Sequence, residues 1–251
     1  SLNDAQIITD WPSFERYAWP DPTTACVVPD TLLLRHLPPG MKLVPLGPGG
    51  VLENVIGLVG FETLCYLIAD DAELAQAIFD AVGSRLLALY ERILELQSVG
   101  AVVANDDWGF KTQPMLAPDD LRRFVFPWHA RIVAAAHAAG KPVILHSCGN
   151  PLSIMEDVIE GMRFDGRHSY EDAIIPVEDA YERWGRRIAT IGGIDVDFLC
   201  RATPAAIRAR ARAMLERTAA RGGYALGSGN SIPEFVPVEN YLAMLSAAWD
   251  V

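Results

Sequence analysis

The stretch Lys141-Pro142-Val143-Ile144-Leu145-His146-Ser147-Cys148-Gly149-Asn150-Pro151 decides how the rest of the chain is read. After the Lys-Pro break comes a short apolar run that reads as a buried strand. The polar residues behind it would emerge at the carboxyl end of that strand. In a parallel α/β fold, ligands and chemistry collect at that end. His146 and Cys148 project to the same side of an extended backbone, so one metal ion could reach both.

Working outward, the chain repeats one theme of helix, short apolar strand and polar cluster. Residues 42–46 (KLVPL) read as a strand. A long helix then opens at Asp70 and Asp71, carries Leu74, Ile78, Leu86, Leu89, Ile93 and Leu96 at helical spacing, and stops at Gly100. Residues 101–104 (AVVA) read as a strand delivering Asn105, Asp106, Asp107 and Trp108. Helical segments over 119–139, interrupted by Pro127, end at Gly140. A further helix is expected around 151–160, and a short segment then delivers Arg167, His168, Ser169, Tyr170, Glu171 and Asp172. Residues 187–191 (RIATI) lead to Gly192, Gly193, Ile194 and Asp195, and Thr203-Pro204 caps the next helix. Residues 224–226 deliver Gly227, Ser228, Gly229 and Asn230. Strands alternating with helices imply a parallel sheet.

Composition bounds the rest. At 251 residues the chain suits one large α/β domain, 1–251, without a linker or an obvious boundary. No apolar run has the length of a membrane span, and no basic patch precedes an apolar stretch at the start, so neither a membrane segment nor a signal peptide is expected. Cys26, Cys65, Cys148 and Cys200 are widely spaced, which disfavours a disulfide framework and fits a reducing cytoplasm. Apart from Cys148, they read as packing residues. A formal charge of −11 disfavours general nucleic-acid binding.

Each polar cluster has an ordinary explanation when taken alone. Asp195 reads as a helix cap or turn residue as readily as a catalytic one. Asp106 and Asp107 suit a solvated turn as well as a functional pair, and His168 suits a salt-bridged loop with Arg167, Glu171 and Asp172. Cys148 suits a small buried hydrophobe. A catalytic reading rests on coincidence, because all five clusters would converge on one rim.

The order NDDWGFKTQPMLAPDDLRRFVFPW, GKPVILHSCGN, HSYED, GGIDVDFL and GGYALGSGNSIPEFVPVENYLAM resembles the uroporphyrinogen decarboxylase superfamily over most of the chain from Gly100 onward. The region including LENVIGLVGFETLCYLIADDAELAQAI is similar to the family's middle part. The resemblance implies a TIM-type (β/α)8 barrel whose first one or two strands this sequence does not show, so that either the sequence is truncated or the barrel is incomplete or completed by a partner. It also implies either decarboxylation or cobamide-dependent methyl transfer. The arginine-containing Arg-Gln-Ala-Gly-Arg-Tyr segment of the decarboxylases is missing, and their late Gly-His-Gly is replaced by Gly227-Ser228-Gly229-Asn230. In the methyltransferase branch the resemblance makes His146 and Cys148 two zinc ligands that activate a thiol, with a second cysteine in a Gly-Cys-Gly setting where this chain has Asn230.

Three expectations follow. In the first, a methyltransferase takes its methyl group from a methylcobamide or a corrinoid protein and passes it to a small thiol or similar acceptor. Zinc is held by His146 and Cys148, with His168, Glu171, Asp172 or Asp195 as candidate further ligands and Glu171 as the expected third. Asp106, Asp107, His168, Tyr170 and Asp195 carry the chemistry, and Trp108, Ser147, Asn150, Ser228 and Asn230 contact substrate. In the second, a metal-free lyase acts on a tetrapyrrole or smaller carboxylic acid, with Asp106 or Asp107 stabilising charge and Tyr170 or His168 donating a proton. In the third, the chain is a non-catalytic subunit or binding module whose exposed strand edge is buried against another copy in a homodimer. The first is the preferred reading.

Overall fold

A computed structural model describes residue 3, residues 6–24 and residues 27–250; Cys26 lies outside them. Its centre is a parallel sheet of five strands, β1 (Val102–Asn105), β2 (Val143–His146), β3 (Gly166–His168), β4 (Ala189–Ile191) and β5 (Tyr224–Ala225), in the order β1-β2-β3-β4-β5. The run 42–46, expected as a strand, is held beside β1 by parallel bridges from Leu43 to Val99 and from Leu46 to Val103. Ile194 and Ser228 extend the far side by one more parallel bridge. The fold is α/β of the TIM-barrel type. Among the described residues no ladder joins β5 back to 43–46.

Helices cover the outer face. Asp71 starts the Ala72–Leu94 helix by accepting the Leu74 N–H at 3.1 Å. Leu74, Ile78, Phe79, Val82, Leu86, Tyr90 and Leu94 recur at helical spacing and are buried. Gly83 on that face lets the Trp128 ring lie against the backbone, since a Cβ there would fall 2.2 Å from the indole. Pro127 does not break its helix. A π-type turn over Leu121–Val125 precedes the Phe126–Ala138 helix and places Pro127 in the first turn, where its missing N–H costs nothing. The helix expected around 151–160 shrinks to a short segment ending in a π-type turn, Asp157–Gly161. Thr203 caps the Pro204–Thr218 helix by accepting the Ala206 N–H at 3.3 Å.

One large core spans the sheet and the helices up to β4. A smaller one, from Ile194, Leu199, Ile207, Ala211, Val236 and Met244, seals the last helices. Among the described residues no single helix is long and apolar enough to cross a membrane. In β1–β2 register Asn105 pairs with His146, and in β2–β3 register His146 pairs with His168. Three polar side chains therefore stand in one row at the carboxyl end of the sheet.

Candidate active site

The polar loops after β1, β2, β3, β4 and β5 meet at this rim. Asp107 Oδ1 accepts the Cys148 N–H at 2.8 Å, joining the first two. His146 Nδ1 faces His168 Nδ1 at 2.7 Å, and His168 Nε2 faces the Ser228 carbonyl at 3.2 Å. Asp195 Oδ2 accepts the Asp172 N–H at 2.9 Å. Asn230 Nδ2 donates to Cys148 Sγ at 3.2 Å.

Asp107, His146 and Cys148 each offer a ligand atom, and these atoms lie within 4.8 Å of one another. Cys148 Sγ is 3.7 Å from His146 Nε2. Zinc bonds of about 2.3 Å to sulfur and about 2.1 Å to nitrogen, at tetrahedral angles, separate those atoms by about 3.6 Å. The spacing and the mixed N, S and O donors both suit a divalent zinc-like ion, so the residues fit the metal. Burial first, and then the negative charge of Asp107, push the Cys148 thiol up to about 11; the hydrogen bonds from Asn230 and Ser169 act the other way. Without a cation the thiol stays protonated at neutral pH. Burial also lowers His146, with Arg167 adding to it, and pushes His168 down to about 4.

The remaining expected residues divide sharply. Asp106 is fully buried and accepts the N–H groups of Leu52 and Glu53, both at 3.0 Å, at the start of the Val51–Val59 helix. Its Oδ2 also meets His129 Nε2 at 2.9 Å. The neighbouring residues Asp106 and Asp107 thus point to different places. Trp108, expected at the pocket, is 1% exposed and packs on Phe126 and His129 in the core. Asp195 caps the Val196–Arg201 helix, and both of its oxygens are taken by backbone N–H groups. Glu171, expected as the third ligand, stands outside the triad with Lys111 4.0 Å away; the carboxylate inside it is Asp107. Ser147 is buried, and its carbonyl accepts from Arg167 Nη2 at 3.3 Å. Asn150 ties its own loop by accepting the Leu152 N–H at 3.0 Å. The Ser228 hydroxyl donates to the Asn230 carbonyl.

A cleft of about 670 Å³ opens beside the triad, lined by Lys111, Tyr170, Glu171, Asp172, Asp195, Asp197 and Asn230 among others. Asn230 lines this cleft and also donates to Cys148 Sγ, so the triad lies directly behind one lining residue of the cleft. Its lining holds four carboxylates and one lysine, and Asp197 is paired with Arg201 at 2.6 Å. Asp172 is held in turn by Arg210 at 2.6 and 2.8 Å.

Glu53 had no signal in the pattern of strand ends. Its carboxylate accepts the Gly50 N–H at 2.8 Å and Asn105 Nδ2 at 3.1 Å, and it is raised by burial and then by Asp106 and Asp107. A glutamate three residues after Gly50, where the Val51–Val59 helix begins, could have marked it as a first-turn capping residue. Arg167 is 2% exposed, lies over the Tyr170 ring at 4.7 Å, and has no hydrogen-bond partner for Nε or Nη1.

Comparison with known proteins agrees with this architecture. The sequence pattern of the uroporphyrinogen decarboxylase (URO-D) family matches residues 46–251. The uroporphyrinogen decarboxylase of Paraburkholderia phytofirmans is 30% identical over 188 residues, covering 73% of this chain and 49% of that protein. That of Anaeromyxobacter dehalogenans is 28% identical over 206 residues, covering 80% and 56%. The chain spans about half the length of these curated relatives. Among solved structures, a methyltransferase from Methanosarcina mazei superposes with a TM-score of 0.69 at 20% identity, over 88% of this chain and 62% of that one. At that identity the superposition speaks for the fold alone. Matched by the family pattern over its last 206 residues and sharing the fold, this chain belongs to the uroporphyrinogen decarboxylase family.

Proposed function

We propose that this chain is a metal-assisted methyltransferase that activates a small thiol or similar nucleophile. The observation that carries this reading is the triad of Asp107, His146 and Cys148, which Asn230 joins to the cleft. Cys148 would supply sulfur, His146 its Nε2 and Asp107 a carboxylate oxygen. A divalent ion held there, with zinc the best match to the donor set, would supply a Lewis acid that lowers the pKa of an incoming thiol. Asn230 steadies the sulfur and borders the cleft, so it is placed to orient the acceptor. Tyr170, 5% exposed and lining the same cleft, closes one wall. The methyl donor in this reading is a methylated corrinoid, free or carried by a partner protein.

The alternative is a carboxy-lyase, and the uroporphyrinogen decarboxylase relatives favour it. The cleft wall argues against a polycarboxylate substrate: among its lining residues Lys111 is the one cation beside Glu171, Asp172, Asp195 and Asp197, and the nearby Arg210 and Arg201 are already committed to Asp172 and Asp197. Like charges in a confined site repel a polyanion. The deciding experiment is zinc content after supplementation, in the wild type and in Cys148→Ser, together with porphyrinogen turnover in a chelator. Near-stoichiometric zinc lost in the variant supports methyl transfer. Absent zinc with chelator-resistant decarboxylation would favour the lyase.

A further inference from the structure

The His146–His168 pair carries information about where its protons sit. Two neutral imidazoles own one N–H each, and two facing Nδ1 atoms at 2.7 Å need a proton between them, since opposed lone pairs repel. That proton belongs either to His146 or to His168, and the two rings alone do not choose. The Ser228 carbonyl does. It lies 3.2 Å from His168 Nε2 and accepts only, so His168 must carry its N–H on Nε2. His168 Nδ1 is then bare and accepts, His146 carries its proton on Nδ1, and His146 Nε2 keeps a free lone pair toward Cys148 Sγ.

The surroundings hold this arrangement in place. The Ser228 carbonyl also accepts the Gly193 N–H at 3.0 Å, so its direction is set by the backbone. Gly192 has φ of 73°, and a Cβ there would lie 2.2 Å from the Ser228 oxygen and 2.9 Å from His168 Cδ2. Only glycine leaves room for the ring to reach the carbonyl.

We infer that His168 is a positioning residue that, together with the Ser228 carbonyl, selects the His146 tautomer able to give its Nε2 lone pair to a metal beside Cys148. His168 itself is no ligand, because both of its nitrogens are engaged. The metal part of this inference rests on the reading proposed above, whereas the tautomer assignment does not.

The test has two arms. Long-range ¹H–¹⁵N correlation spectra of the ¹⁵N-histidine-labelled, metal-free chain report tautomers directly, with His168→Gln supplying the assignment. The expected result is an Nδ1–H form for His146 and an Nε2–H form for His168; the opposite pair overturns the inference. Cobalt(II) titration of wild type, His168→Gln and His168→Phe forms the second arm. Loss of the partner in His168→Phe should weaken binding roughly 10–100-fold, the range for removing the group that orients a ligating histidine. His168→Gln, whose amide oxygen can accept from His146 Nδ1, should stay within a few-fold of wild type. Equal weakening in both variants, or in neither, overturns the positioning role. If the wild type binds no cobalt or zinc, the proposed function fails while the spectra still decide the tautomers.

Discussion

Asn230 donates its side-chain amide to the sulfur of Cys148 across 3.2 Å, joining the loop after β5 to the loop after β2. The two residues are separated by 82 positions in sequence, and only the curvature of the sheet brings them together. An amide nitrogen is a poor ligand, but its contact with the sulfur makes this position the natural place to add a donor to the proposed metal site.

Replacing that amide by a thiol should complete the donor set. Asn230→Cys is expected to tighten zinc and cobalt binding by about tenfold or more, because a second soft ligand adds a bond without disturbing the first three. The visible absorption of the cobalt-loaded variant should gain sulfur-to-cobalt intensity. Unchanged affinity and spectrum would mean that the site does not gather around this sulfur.

Asp106 serves the fold. It takes two N–H groups at a helix start and meets a buried histidine. Asp106→Ala should cost about 3 kcal/mol, combining a lost helix cap with stranded buried donors. Asp106→Asn, which keeps one acceptor oxygen, should cost about half as much. Urea unfolding of the two variants measures both.

Arg210 clamps the wall of the cleft. It binds Asp172 through two nitrogens and Glu178 at 2.8 and 2.9 Å, with its side chain 17% exposed. Arg210→Met should lower stability by about 2 kcal/mol, because two carboxylates lose their partner in a partly buried setting. Arg210→Lys should recover only part of this, since an ammonium cannot form both forked contacts. Full recovery by lysine would show that charge alone matters there.

The histidine pair predicts how stability varies with acidity in the metal-free chain. His168 is pushed down to about 4, mainly by burial, against about 6.5 in the unfolded chain. Above the unfolded value both states are neutral and the contribution is fully present. As pH falls from about 6.5 toward 4, the unfolded chain takes up the proton first and stability declines, by about 2 to 3 kcal/mol for this group. Below that window the decline from this source stops. Denaturation at pH 7, 5.5 and 4.5 should therefore show a shallower slope for His168→Gln than for wild type.

The legible part of the molecule was the local part. Apolar runs of four or five residues bounded by Gly and Lys-Pro marked β1 and β2, and Asp71 and Thr203 marked helix starts, because strand and cap formation depend on near neighbours. The alternation along β2 also placed His146 and Cys148 on one side. The helix expected at 151–160 forms only over 155–161 and ends in a π-type turn.

What the sequence determined by itself was the order of strands, helices and polar strand ends, since each is written in a few adjacent residues. The tertiary structure decided which polar residues share a site. Asp106 and Asp107 are adjacent in sequence, yet one is spent on a helix start and the other faces Cys148, because successive side chains leave the backbone in different directions. It also decided that His168 meets His146 and that the Ser228 carbonyl orients it, because strand register and a glycine with positive φ set those contacts across the fold. Contacts between residues 22, 60 and 82 positions apart depend on packing, and no local pattern encodes them.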